Sequence, residues 1–363
     1  MNFLFQATGA VIVTLAIFSE AYGFPGESIV LDPNTGNYQI TYFGEGSPGN
    51  KKNKPLRQAI FVPATKINPV IGSTFRLRGM DIVAYSYRVK NSTNSRQSLA
   101  NFVIDPVSDI NSSSPLPKLR QSITVSDLDP FNKIALAAIY TPRNWVGSVW
   151  ISDTVGLRIG WMFASLEAPN AGLIAGSTQD GFGFSSKDIP GIGIVQFQGN
   201  TPVFGFVDEG PSGEISDQLD KLTHNNFVPR NAAVPTIAVP EPFDTAILLD
   251  RIRSQVATWP AKQLLDPAFA AQLDRHLVSA TNAFRLNNSK AGKEQIETMR
   301  NMLGREHKYL DHDDEDNEDT TEHKTVTRLT IDRLAARVLD FDLRYVLKRT
   351  EYEHENSEKR KER

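Results

Sequence analysis

The chain has no cysteine in its 363 residues. That excludes disulfides, Cys-ligated zinc, iron–sulfur clusters, cysteine nucleophiles and CxxC redox chemistry. Histidine is scarce, with six in total, and no His-Glu-x-x-His occurs, so the helical zinc motif is excluded too. Gly-Lys-Ser/Thr and Gly-x-Ser-x-Gly are both missing. Their absence removes the phosphate-binding loop and the nucleophile elbow of a serine hydrolase. Excess charge of one sign is missing as well. Lys plus Arg number 39 against 42 Asp plus Glu, for a net charge of -3. There is no global basic field for nucleic acid, which leaves only a local patch open. Long apolar runs are confined to the N-terminus, from Phe3 to Phe18, and this run is shorter than the roughly 20 residues that span a bilayer.

That run ends in Ser19-Glu20-Ala21-Tyr22-Gly23, whose small residues suit signal-peptidase cleavage before Phe24 or before Tyr22. Residues 1–23 therefore read as a signal peptide, although no Lys or Arg precedes the run. A retained N-terminal anchor is the alternative. Cleavage would leave an exported protein, periplasmic or extracellular, with no membrane span. A hydrophobic content of 40% and a charged content of 22% are ordinary for a globular chain. The length suits about two domains, and a large exported domain stands on burial without disulfides.

The first half reads as strands. Val83, Tyr85, Tyr87 and Val89 alternate with polar or small residues, giving one apolar face. Asn91 to Ser95 is turn chemistry, and Leu99 to Ile104 resumes an apolar run, which predicts an antiparallel hairpin. Further strand-like runs are Lys133–Tyr140, Gly147–Ser152, Leu157–Phe163, Gly181–Ser185, Ile192–Phe197 and Pro202–Val207. Short strands without intervening helices indicate a sandwich or barrel. The dense glycines from Gly172 to Gly199 precede no helix, so they read as bulges and close strand approaches.

Tyr85-x-Tyr87-x-Val89-x-Asn91, then Ser98-Leu99-x-x-Phe102, Pro142 and Trp145, and Gly181-Phe182-x-Phe184 before Pro190-Gly191-Ile192 carry a resemblance. Over roughly Ile82 to Phe197 the chain resembles the immunoglobulin-like β-sandwich domains of exported bacterial proteins. The resemblance implies a sandwich and export, and transfers no catalytic residue.

From 208 to 242 the prolines 211, 229, 235, 240 and 242 break any long helix, so the stretch reads as a Pro-rich linker. After Asp244 the period turns helical. Leu249, Ile252, Val256 and Trp259 form one stripe. Asp266 caps a second helix opening at Pro267, with Phe269, Leu273, Leu277, Ala280 and Phe284 on one face. Ile296, Met299 and Leu303 make a third, which Gly304 ends or loosens. Ile331, Leu334, Val338, Phe341 and Tyr345 make a fourth, wide enough for a bundle core. Leu273, Leu277, Ala280 and Ala283-Phe284 before a polar break, then a shorter helix, resemble FIMAH-type helical domains of secreted bacterial proteins. That likeness implies attachment or interaction rather than chemistry. The expected organisation is thus an all-β sandwich over 24–207, a linker over 208–242, a small all-α four-helix domain over 243–348 and a charged tail over 349–363, a frayed helix end.

Two features are candidate sites. The acidic loop 311–322 places Asp311, Asp313, Glu315, Asp319 and Glu322 at positions one, three, five, nine and twelve, the donor spacing of a Ca²⁺ loop. Asp316 stands where that loop normally needs glycine, and Glu318 where it needs an apolar residue. A solvated acidic loop accounts for the same residues, because a run this acidic supplies the spacing by chance. His307, His312 and His323 flank it without metal-motif spacing. The second feature is Trp145, Trp150 and Trp161, which with Tyr140 would stack on a sugar ring or else fill a sandwich core. Asp105 with Asp109, and Asp127 with Asp129, sit in turn-like contexts but have the residue type for glycoside hydrolysis.

The leading expectation is an exported, noncatalytic binding or structural protein of the bacterial envelope or exterior, contacting protein or glycan and not nucleic acid. The alternatives are a carbohydrate-active enzyme or carbohydrate-binding accessory protein, and a calcium-responsive module whose cofactor is Ca²⁺.

Overall fold

The structure is a computed structural model. It describes residues 26–43, 56–104, 139–152, 156–164, 172–200, 203–204, 213–224, 226–306 and 330–361. The expected signal peptide, 1–23, lies outside them. The chain forms two compact units.

The smaller unit takes the chain up to Pro63 together with 201–226. Its antiparallel sheet runs β1 (Ser28–Leu31), β2 (Tyr38–Phe43), β3 (Leu56–Phe61), β12 (Val203–Phe204), with strands numbered in chain order. Ile40 and Tyr42 alternate with Gln39 and Thr41, so one face of β2 is apolar. That face packs with Ala59, Phe61 and, four residues apart on helix α1 (Gly213–His224), Ile215 and Leu219.

The larger unit, Ala64–Asn200 with Phe227–Arg363, holds two more antiparallel sheets. One has the order β4 (Pro69–Arg78), β5 (Ile82–Asn91), β10 (Thr178–Ser186), β7 (Ile139–Tyr140). The other has β13 (Val228–Ile237), β11 (Ile189–Gly199), β6 (Leu99–Ile104), β9 (Gly156–Phe163), β8 (Trp145–Ser152). They lie face to face over an aromatic core. Tyr87 meets Phe102 edge-on across the gap at 5.6 Å, and Phe182 meets Trp145 at 4.9 Å.

The hairpin expected of 83–89 with 99–104 does not form. β5 pairs with β4 and β10, whereas β6 pairs with β11 and β9. The intervening turn crosses from one sheet to the other. The apolar faces of the two strands meet across the core instead of lying side by side. Asn91 holds the crossing, because its buried amide donates to the carbonyls of Gln97 and Leu173 at 2.8 and 2.9 Å.

The stretch read as a linker, 208–242, carries α1 and β13. The prolines that argued against structure are compatible with an edge strand. Ala233 donates its N–H to Ser73 Oγ at 3.2 Å, away from the β11 ladder, and its carbonyl accepts from Tyr87 Oη at 2.9 Å. Alternate residues face the same way, so Pro229 and Pro235 fall where β13 owes β11 no N–H.

The helical pattern corresponds to α2 (Thr245–Val256), α3 (Pro267–Arg285), α4 (Ser289–Glu306) and α5 (Arg333–Lys361). Asp266 accepts from the N–H groups of Ala268 and Phe269, with Pro267 at the first helical position. Asp244 and Asp332 cap α2 and α5 in the same way. Gly304 does not end α4, which continues to Glu306, and α5 extends through the expected tail to Lys361. The sandwich and the helices share one core, continuous from Phe102 and Trp161 to Leu277, Met299 and Leu303. Phe341 of α5 packs edge-on against Phe75 of β4 at 5.1 Å. Arg349 pairs with Asp81 between β4 and β5 and lies over the Phe243 ring. The boundary drawn in sequence near 208–242 therefore separates residues that pack together. No helix among the described residues is long and apolar enough to cross a membrane.

Candidate functional site

Two of the three tryptophans proposed as a stacking face are in the core. Trp145 is 7% exposed and Trp161 1%. Trp161 stacks on Phe102 at 4.9 Å and donates its indole N–H to the Tyr140 carbonyl at 3.1 Å. Rings enclosed in this way cannot receive a sugar, so for Trp145 and Trp161 the stacking-face expectation is corrected and the sandwich-core reading holds. An alternating strand puts bulky aromatics inward whenever the opposite sheet needs filling, which is the physical reason. The Trp150 side chain lies outside the described residues, as do the acidic loop with Asp311, Asp313, Glu315, Asp319 and Glu322, the three flanking histidines, and both aspartate pairs. Among the described residues, no group of three or more His, Asp or Glu is placed to hold a metal ion.

The strongly perturbed acids are internal. Tyr85 Oη donates to the Asp188 carbonyl at 2.8 Å, and burial pushes the Tyr85 and Tyr87 phenols well above their usual range. Asp342, on the α5 face turned to the sandwich, is 1% exposed, and its Oδ1 has no hydrogen-bond partner among the described residues. Burial pushes its carboxyl well above the usual carboxylate range. Tyr345 is pushed up to about 12 by burial, against the opposing pull of Arg349. Tyr85, Asp342 and Tyr345 are buried together near α5, β5 and the β10–β11 turn, and Tyr87 is buried against β13. On the helices, a shallow groove of about 450 Å³ is lined by Arg275, His276, Gln295 and Met302, and His276 Nδ1 lies 2.9 Å from Gln295 Oε1.

The outer face of the β4–β5–β10–β7 sheet is different in kind. Strand alternation puts Thr74, Arg76 and Arg78 of β4 on it, with Ser86, Arg88 and Lys90 of β5. Beside them lie Gly183 and Ser185 of β10 and Tyr140 of β7, in register with Ser86, Ala84 and Gly183 respectively. A Cβ on Gly183 would lie 2.4 Å from the Tyr85 carbonyl oxygen, which excludes any larger residue there, and at an ordinary contact distance of 3.5 Å from the Tyr140 ring. Tyr140 is 43% exposed. Arg78 donates from Nη1 to Tyr140 Oη at 2.9 Å, and its guanidinium lies 5.6 Å from the ring centroid. Arg88 pairs with Asp180 at 2.6 Å. Arg76, Arg78 and Lys90 have no carboxylate partner among the described residues. Cations at alternate strand positions, 76 with 78 and 88 with 90, are the sequence signal of this face. The sequence reading passed over it because it followed the apolar half of the same alternation.

Comparison with protein-family models finds no match, and comparison with curated proteins finds none.

Proposed function

We propose that the protein is an exported, noncatalytic binding protein of the bacterial envelope or exterior. The reading takes the sandwich as immunoglobulin-like and the helices as a FIMAH-like element fastened to it. Two antiparallel sheets packed face to face, with a connection that crosses between them, support the first part. The N-terminal apolar run and the absence of cysteine support export. The observation that carries binding is the basic outer face of the β4–β5–β10–β7 sheet. It is backed by the core and presents Arg76, Arg78 and Lys90 without a carboxylate partner among the described residues, while the perturbed acids are enclosed. The carbohydrate-active alternative loses its stacking face with the burial of Trp145 and Trp161, although binding of carbohydrate without catalysis stays compatible with the basic face. The test is fractionation of a bacterial host expressing the full chain, then co-sedimentation of the purified protein with isolated envelope material. Recovery in the exported fraction and saturable co-sedimentation are expected. Retention in the cytoplasmic fraction, or no co-sedimentation, overturns the reading.

A further inference from the structure

The basic face has the form of a track. Lys90 and Arg88 lie at one end of the β4–β5 ladder, and Arg76 and Arg78 at the other. The eight steps along β4 from Val70, opposite Lys90, to Arg78 cover about 27 Å at the usual strand rise. Between the two cation pairs the register places Thr74, Ser86 and Gly183 in one row, ending at Tyr140. Charges at both ends of such a length suit an extended polyanion better than a small ion. The middle row decides which polyanion. Thr74 and Ser86 offer hydroxyls that both donate and accept. Tyr140, the one exposed ring on this face among the described residues, offers a π face for the C–H side of one sugar. A single-stranded nucleic acid would call for a series of aromatic platforms, and this face shows one ring among the described residues. A protein partner would call for an apolar anchor pocket at the centre, where the floor here is made of small and hydroxyl side chains.

Resting on the binding role proposed above, we infer that the outer face of the β4–β5–β10–β7 sheet binds an acidic polysaccharide, its carboxylate or sulfate groups paired with Arg76, Arg78, Arg88 and Lys90 and one sugar lying on Tyr140. The overall charge of -3 does not oppose this, because a charged polymer feels the local field within about one Debye length of roughly 10 Å. Arg88 already holds Asp180, so it contributes least, and Arg76 and Arg78 contribute most.

The experiment measures binding of the full chain to polygalacturonate, neutral dextran and single-stranded DNA by affinity electrophoresis and calorimetry, at two salt concentrations. The variants are Arg76→Glu with Arg78→Glu, and Tyr140→Ala. All three substituted residues are exposed, and unchanged unfolding midpoints confirm intact folding. Polygalacturonate binding that weakens with salt, absent for dextran, is expected. The double charge reversal should weaken it roughly tenfold or more, the size set by several exposed ion pairs lost or reversed. Tyr140→Ala should weaken it several-fold with little change in salt dependence. Equal binding by wild type and the double variant overturns the inference, as does tighter binding to DNA than to polygalacturonate. Failure with polygalacturonate while envelope co-sedimentation persists overturns the acidic-glycan inference alone. Loss of both overturns the binding role as well.

Discussion

Asp342→Asn is expected to change the pH dependence of stability in a direction that can be worked out in advance. In the folded chain this carboxyl is enclosed between α5 and the sandwich, where it interacts with the Tyr85 phenol. Its folded value lies above its unfolded one. Below about pH 3.9 both states hold the proton, and the group contributes no pH dependence. Above that, the unfolded chain releases the proton and the folded chain keeps it. The unfolding free energy then falls by about 1.4 kcal/mol per pH unit until the folded value is reached. The ceiling on this loss at pH 7 is about 4 kcal/mol. Asparagine removes the loss but brings an amide with two donors in place of one hydroxyl, and an unsatisfied buried donor costs about 1–3 kcal/mol. The variant should therefore be less stable than wild type by about 1–3 kcal/mol below pH 4. That deficit should shrink as the pH rises from 4 toward 7, because only wild type carries the loss. Tyr85 and Tyr345 stay out of this window because both titrate far above it. The assay is urea unfolding at four pH values between 4 and 8, followed by the fluorescence of the buried Trp161 and Trp259. A stability difference that stays constant from pH 4 to 7 would refute the reasoning. So would a slope that disappears in Asp188→Asn and persists in Asp342→Asn.

Other substitutions test other parts of the structure. Leu277→Ala, deep in α3, should cost about 2–5 kcal/mol and lower one shared transition of the tryptophan fluorescence, because its core is continuous with that of Phe102 and Trp161 and all four tryptophans lie in the larger unit; two tryptophan transitions, of which only one moves, would contradict the shared core. Gly183→Ala forces a Cβ against the Tyr85 carbonyl and should lower the unfolding midpoint in the same urea assay. Asp266→Ala removes the cap of α3 and should cost about 1 kcal/mol by the same urea assay. Calorimetry with Ca²⁺ on wild type and Glu322→Gln should give equal, weak heats, and strong saturable binding lost in the variant would establish a specific loop site.

Most of the helical pattern was legible in sequence because its signals are local. A cap at Asp266, a proline at the first helical position and stripes at three and four residues all act within one turn. The strands were legible as strands, yet their partners were not. Val83 to Val89 and Leu99 to Ile104 have complementary apolar faces, and such faces suit a hairpin edge to edge as well as two sheets face to face. Only the pairing of distant strands, β10 with β5 and β11 with β6, chooses between them. β13 was hidden for a related reason. Proline excludes a residue from a central strand, and whether a strand is central is a tertiary fact. The basic face needed the register as well: Arg78 and Tyr140 are 62 residues apart and meet only because β5 and β10 lie between their strands. The tryptophans show the reverse case, in which residue type suggested a binding role and the demand for core volume overrode it.

The edge at β13 has a consequence for the protein at high local concentration. A free strand edge is a template, and another copy can extend it through unclaimed backbone groups. Here two of the outward positions, Pro229 and Pro235, have no N–H to give, and at a third, Ala233, both the N–H and the carbonyl are already held by side chains from the opposite sheet. An incoming strand would find almost nothing to pair with. Copies brought close together would then find no template for sheet fusion along this edge.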